Sequence, residues 1–125
     1  MILGVGIDLI EVDRVERVRE KFGDKFLNRI LLPEEIRYCL QFLKPGPHIA
    51  ARFAAKEAIS KAFGTGIGRQ LSWHDMEVQR RESGEPYVQL HGPGQALLQN
   101  RKARALLISL SHTATYATAI AVLES

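Results

Sequence analysis

The stretch Ile49 to Phe63, Ile-Ala-Ala-Arg-Phe-Ala-Ala-Lys-Glu-Ala-Ile-Ser-Lys-Ala-Phe, constrains the fold more than any other part of the chain. Rich in alanine and free of glycine and proline, it predicts a long helix. Ala50, Ala54 and Ala58 recur at every fourth position and make a row of small side chains, which allows close packing. Gly64 is placed to cap the C-terminus. The charges Arg52, Lys56, Glu57 and Lys61 gather on one side of an otherwise small and apolar helix.

The other elements arrange themselves around that helix. Ile2 to Leu9 is apolar and β-branched and predicts a buried strand. Asp13 to Phe22 predicts a charged helix, with Val12, Val15, Val18 and Phe22 at helical spacing and Gly23 at its end. A short helix covers Asp24 to Leu31. Pro33-Glu34-Glu35 opens another, with proline in the first turn and acids near the positive dipole end. That helix runs to about Leu43, where Pro45-Gly46-Pro47 stops it. Past Gly64, Met76 to Arg80 and Tyr87 to Leu90 predict strands joined at Ser83-Gly84-Glu85. Gly94 to Ala103 predicts a helix, and Ala105 to Ser111 and Tyr116 to Leu123 a last antiparallel pair around His112-Thr113. This order is that of an α+β protein: a strand, then helices, then mostly antiparallel strands. At 125 residues, without repeats or long linkers, the chain predicts one domain over residues 1–125.

Composition narrows the function classes. Cys39 is the one cysteine, so no disulfide forms within the chain and a reducing compartment is the natural setting. Its neighbours Tyr38, Leu40 and Phe42 make it a small buried hydrophobe. The start Met-Ile-Leu-Gly-Val-Gly-Ile-Asp lacks a signal peptide's basic region, and Ala114 to Leu123 is too short and polar to span a bilayer. The expectation is a cytoplasmic protein with no membrane role. A net charge of +3 suits an anionic ligand or an acidic partner, and is well short of a nucleic-acid-binding tail.

Several residues carry possible chemistry. Asp8 closes an apolar strand, where a carboxylate has no packing use, although a helix-capping acid is the commoner role for such a position. Glu57 and Lys61 lie four apart and project from one helix face. Arg52 and Lys56 make a second such pair, and a salt-bridged, solvated surface is the ordinary meaning of this spacing. Mg²⁺ takes oxygen ligands, keeps waters, and is shared between one or two carboxylates and a substrate phosphate. Asp8 and Glu57 are therefore candidate metal ligands, with Lys61 one turn on to meet a diphosphate. Gly64-Thr65-Gly66-Ile67-Gly68 trails a helix rather than leading one, so it is no P-loop. Ser111 and His112 end a strand with no acid beside them, which leaves a hydrolase triad unsupported. His48, His74 and His91 lack metal-ligand spacing and read as structural or surface residues. Basic residues from Arg14 to Arg29 interleave with acids. The ordinary reading is a solvated mixed face; the sharper one is a docking surface for an acidic helix.

Gly4-Val5-Gly6-Ile7-Asp8-Leu9, together with Arg52-Phe53-Ala54-Ala55-Lys56-Glu57-Ala58-Ile59-Ser60-Lys61-Ala62-Phe63-Gly64, resembles the bacterial holo-[acyl-carrier-protein] synthase family, 4′-phosphopantetheinyl transferases. Gly64 to Gly68, Trp73 to Val78, Gly84 to Val88 and Ser109 to Thr113 continue the resemblance, with 22–47 the least distinctive stretch. It implies a small α+β trimer with active sites at subunit interfaces, using Mg²⁺ and coenzyme A. It implies transfer of 4′-phosphopantetheine to a serine of apo-acyl carrier protein, with release of adenosine 3′,5′-bisphosphate, in support of fatty acid biosynthesis. Asp8 and Glu57 match the family's metal-binding acids, and Lys61 the lysine beside the diphosphate. Arg52 and His112 match positions near coenzyme A phosphates, His112 coming from the neighbouring subunit. Gly64 and Thr113 fall in the same coenzyme A-binding segments, and Arg14 matches the basic position that meets the carrier protein. The alanine at position 54, where relatives carry serine or threonine, leaves the chemistry untouched.

The mechanism expected from this has Mg²⁺ on Asp8 and Glu57 gripping the diphosphate while the carrier serine attacks. Either Glu57 or a metal-bound water takes the serine proton, and Lys61 meets the charge on the departing nucleotide. A small basic binding module without turnover is the rival reading, and a coenzyme A hydrolase a third. The interleaved acids of the first helix and the lack of an aromatic stacking platform argue against a nucleic-acid module.

Overall fold

The computed structural model describes residues 1–125, and its centre is the alanine-rich helix. In chain order the elements are β1 (Ile2–Glu11), α1 (Val12–Phe22), α2 (Asp24–Ile30), α3 (Pro33–Leu40) and α4 (Gly46–Phe63). After a 3₁₀ turn at Trp73–Asp75 come β2 (Met76–Arg80), β3 (Pro86–Leu90), α5 (Pro93–Asn100), β4 (Ala105–His112) and β5 (Tyr116–Glu124). Ile49, Ala50, Ala54, Ala55, Ala58 and Ile59 of α4 are wholly buried. A helix covered nearly all round has no single apolar stripe, and its small side chains let neighbours approach on several sides.

The main sheet has the order β1-β5-β4, antiparallel throughout, and β2-β3 form a separate hairpin. Strands β1 and β5 lie across α4. The alanine row meets a glycine row here: a Cβ at Gly4 would overlap the carbonyl oxygen of Ala62, and one at Gly6 that of Ala58. On β5, Ala117, Ala119 and Ala121 are buried against the same helix side of the sheet. The seam between helix and sheet is thus made by residues with one side-chain carbon or none.

The opposite sheet face is apolar and bare. Val5, Ile7 and Leu9 of β1, Leu107 of β4 and Ile120 of β5 are all exposed. The register places Val5 and Leu107 both opposite Val122, and Ile7 opposite Ile120, so these side chains form one continuous patch. No helix is long and apolar enough to cross a membrane.

Three helix boundaries differ from expectation. Helix α3 stops at Leu40 rather than near Leu43, and Phe42 instead stacks on His48, with ring centroids 3.6 Å apart. Helix α4 starts at Gly46, because Pro47 fits a first turn, where no amide donor is needed. Helix α5 spans Pro93–Asn100 and does not reach Ala103, since Lys102 takes a φ of 54° and breaks the helical path.

Candidate active site

Asp8 sits in β1 opposite Ala119 of β5, at the level where the strand crosses the last turns of α4. The close seam at Gly4 and Gly6 brings Lys61 within reach: its Nζ donates to the carbonyl of Ile7 at 2.8 Å and to Asp8 Oδ1 at 3.2 Å. Glu57 lies one turn earlier on α4. Burial pushes its carboxyl pKa up, the negative Asp8 pushes it further, and Lys61 pulls it down. Two carboxylates from different elements therefore repel each other across a gap that one exposed lysine incompletely neutralises. Two hard oxygen donors so placed could hold Mg²⁺, completed by water and phosphate.

Asp8, Glu57 and Lys61 line one cleft of about 430 Å³ together with Arg14 of α1. Its apolar wall, Val18, Phe26 and Phe53, continues into a groove of about 410 Å³ that reaches Phe22 and Trp73, with Lys25 and Arg29 among its lining residues. The cleft thus has an acidic, metal-suited floor and a basic side at Arg14.

The remaining candidates lie elsewhere. Arg52 is 1% exposed, and its guanidinium sits 4.0 Å over the Tyr38 ring. Its Nη1 donates to the carbonyl of His48 at 3.5 Å, while its buried Nε has no partner. His112, at the end of β4, has its ring 5.0 Å from that of His48. Thr113 Oγ1 accepts from the amides of Thr115 and Tyr116 and shapes the β4–β5 turn. Gly64 caps α4 in the left-handed conformation at φ 77°, and its amide donates to the carbonyl of Lys61. The amides of Thr65 and Gly66 donate to the carbonyl of Ser60. All three amides close the helix.

The helix does not gather its charges on one surface. Lys56 is wholly buried, and its Nζ donates to Glu35 Oε1 at 2.7 Å, Ile30 O at 2.7 Å and Trp73 O at 3.1 Å. Glu35 in turn accepts from the amides of Leu32 and Val78. Burial lowers the Lys56 pKa and the adjoining Glu35 carboxylate opposes that shift. The i,i+4 spacing of Arg52 and Lys56 carries no sign of this, because the partner is 21 residues away. His48 also has no signal in the sequence beyond being a histidine. His74 meets the carbonyl of Asn28 and His91 the carboxylate of Glu77, as structural residues do.

The chain matches the family model described as the 4′-phosphopantetheinyl transferase superfamily over residues 4–121. It is 47% identical over 124 residues to a holo-[acyl-carrier-protein] synthase of Koribacter versatilis, covering 99% of each chain. Among solved structures, the holo-[acyl-carrier-protein] synthase of Neisseria meningitidis superposes with a TM-score of 0.93 at 34% identity, covering 100% of both chains. The Helicobacter pylori enzyme of the same name, in complex with coenzyme A, gives a TM-score of 0.86 at 34% identity, with 96% of this chain and 99% of that one covered.

Proposed function

The chain belongs to the 4′-phosphopantetheinyl transferase superfamily, and on that premise we propose that it transfers 4′-phosphopantetheine from coenzyme A to a serine of apo-acyl carrier protein, with Asp8 and Glu57 holding Mg²⁺. Its holo product is the form of carrier protein that fatty acid biosynthesis requires. The observation that carries the reading is the convergence of Asp8, Glu57, Lys61 and Arg14 on one cleft from three elements.

Asp8 and Glu57 would hold the Mg²⁺, which would supply neutralisation of the diphosphate charge. The chain's own groups do the rest by position and charge, as phosphoryl-type transfer demands. The serine oxygen bonds to the β-phosphorus, and the bond from that phosphorus to the bridging oxygen breaks. Adenosine 3′,5′-bisphosphate leaves with the bonding electrons, while the serine proton passes to Glu57 or to water in the cleft. Lys61, tethered by the Ile7 carbonyl, presents its ammonium to the charge that grows on the leaving group. Arg14 meets the acidic carrier protein at the mouth of the cleft.

Two features support a homotrimer with shared sites. The bare apolar patch around Val5, Ile7, Leu9, Leu107 and Ile120 is the kind of surface that subunits cover. His112 and Arg52 also stand in a cluster apart from the acids, as expected if a neighbour's acids complete each site. A buried, unpaired Cys39 suits a reducing cytoplasm.

The test is intact mass of apo-acyl carrier protein after incubation with the protein, coenzyme A and Mg²⁺. A gain of one phosphopantetheine, lost with EDTA and with Glu57→Ala, supports both transfer and the metal site. No gain beside a working synthase control would overturn the reading.

A further inference from the structure

The site around Asp8 uses neither the second histidine near Arg52 nor the arginine of β2 beside it. His48 lies in the first turns of α4. Its ring stacks flat on Phe42, at 3.6 Å between centroids and 11° between planes, and stands edge-on to His112 at 5.0 Å and 70°. Arg52, one turn along, donates to the backbone of His48, and its guanidinium covers the Tyr38 ring. Arg80 of β2 also stands over Tyr38, 5.4 Å from the ring centroid. The cluster therefore takes side chains from α3, α4, β2 and β4 and surrounds His48 with Tyr38, Arg52, Arg80 and His112.

We propose that His48 is an unassigned recognition residue for coenzyme A, which with Arg52, Arg80 and His112 binds the 3′-phosphate monoester and couples that binding to uptake of a proton. The inference rests on the transfer reading above and adds to it a specificity residue and a pH dependence.

An apolar plug against Phe42 needs no nitrogen, and a second aromatic or aliphatic side chain would fill that place without desolvating one. Here two imidazoles and two guanidiniums crowd together, and the charges acting on His48 all disfavour its protonation. Burial lowers its pKa most, followed by His112, Arg52 and Arg80. Arg52 adds a second sign, since its buried Nε–H lacks an acceptor. Such a cluster suits an anionic ligand.

Coenzyme A brings anionic groups of two kinds. On the transfer reading, the diphosphate goes to the cleft lined by Asp8, Glu57 and Lys61. The 3′-phosphate is a monoester with three acceptor oxygens and a second pKa of about 6. As a dianion near neutrality it reverses the potential felt by His48 and restores the proton that burial and the arginines expel. Bound ligand and bound proton then favour one another by linkage. Affinity for coenzyme A rises as pH falls from about 8 towards 6, and levels off where the monoester itself takes up a proton.

The experiment is calorimetry of the Mg²⁺-supplemented protein with coenzyme A and with dephospho-coenzyme A, between pH 6.5 and 8, in buffers of different ionisation enthalpy. The wild type should take up protons on binding coenzyme A and not on binding dephospho-coenzyme A. His48→Phe, which keeps the stack on Phe42, should weaken coenzyme A about tenfold, as expected for a lost charge-assisted hydrogen bond. Its loss with dephospho-coenzyme A should be far smaller. His48→Gln, which keeps an N–H donor without a titration, should lose proton uptake while retaining part of the affinity. Unchanged discrimination and unchanged uptake in both variants would overturn the role of His48 while leaving the transfer reading intact. A wild type that binds neither ligand would instead overturn the transfer reading.

Discussion

Lys56 and Lys61 stand on one helix, five residues apart, and replacing each by methionine should produce opposite phenotypes. Lys56 is 0% exposed and closes a buried network with Glu35, Ile30 O and Trp73 O. Methionine matches its length but leaves the Glu35 carboxylate buried without a cation and the Ile30 carbonyl without the Lys56 donor, while the Trp73 carbonyl keeps the amide of Met76. Breaking a buried pair on one side costs about 3–5 kcal/mol. For a chain of this length each kcal/mol moves the melting temperature by about 4 °C, so Lys56→Met should melt about 12–20 °C lower. Lys61 is half exposed and makes a surface pair with Asp8 at 3.2 Å. Such pairs are worth about 0–1 kcal/mol, which predicts a shift of at most about 4 °C for Lys61→Met. Activity should order the other way, since in the proposed mechanism Lys61→Met removes the cation that meets the leaving group. The assay is urea and thermal unfolding followed by Trp73 fluorescence, at one fixed protein concentration because assembly contributes to stability. A Lys56→Met protein within about 1 kcal/mol of wild type would refute the account of the buried pair.

On the proposed mechanism, Asp8→Asn and Glu57→Gln should each lower kcat/KM by at least about 10²-fold in a carrier-protein mass assay, as should addition of EDTA. The raised Glu57 pKa means that the folded, metal-free chain holds a proton that the unfolded chain releases above about 4.5. Its stability should therefore fall as pH rises from there, in a melting-temperature series that Glu57→Gln flattens. Gly6→Ala should cost about 3 kcal/mol or more in urea unfolding, since its Cβ would overlap the Ala58 carbonyl, which cannot move without the helix. Arg14→Glu should raise the KM for carrier protein more than it lowers kcat, and the difference should shrink with added salt.

The parts legible in the sequence were those fixed by local pattern. The β1 run, the valine spacing of α1, the β2–β3 hairpin and the last strand pair declare themselves through periodicity and turn residues, and the structure has each within a few residues. The pairing of Asp8 with the Glu57–Lys61 face was legible through the two motifs together. Their convergence depends on Gly4 and Gly6 meeting Ala58 and Ala62, a contact that no spacing within either segment reports. Lys56 was illegible for the same reason. Charge spacing describes an isolated helix, whereas its burial is decided by α2, α3 and the turn at Trp73. Pro45-Gly46-Pro47 misled because proline both ends one helix and opens the next, and local sequence alone does not set the boundary between them.

The glycine–alanine seam also limits how this protein can adapt. Filling interior space, a methylene here and a branch there, is one of the usual ways in which a protein gains stability. Between β1 and α4 there is no room for a first step: backbone oxygens of Ala58 and Ala62 occupy the space where side chains at Gly6 and Gly4 would go. Widening the gap would move Asp8 away from the helix that carries Glu57 and Lys61. The spacing of Asp8 from Lys61 and the close approach at Gly4 and Gly6 are set by one contact between strand and helix. Stabilising substitutions have more room in the segments between elements, such as 41–45 and 64–72, than along this seam.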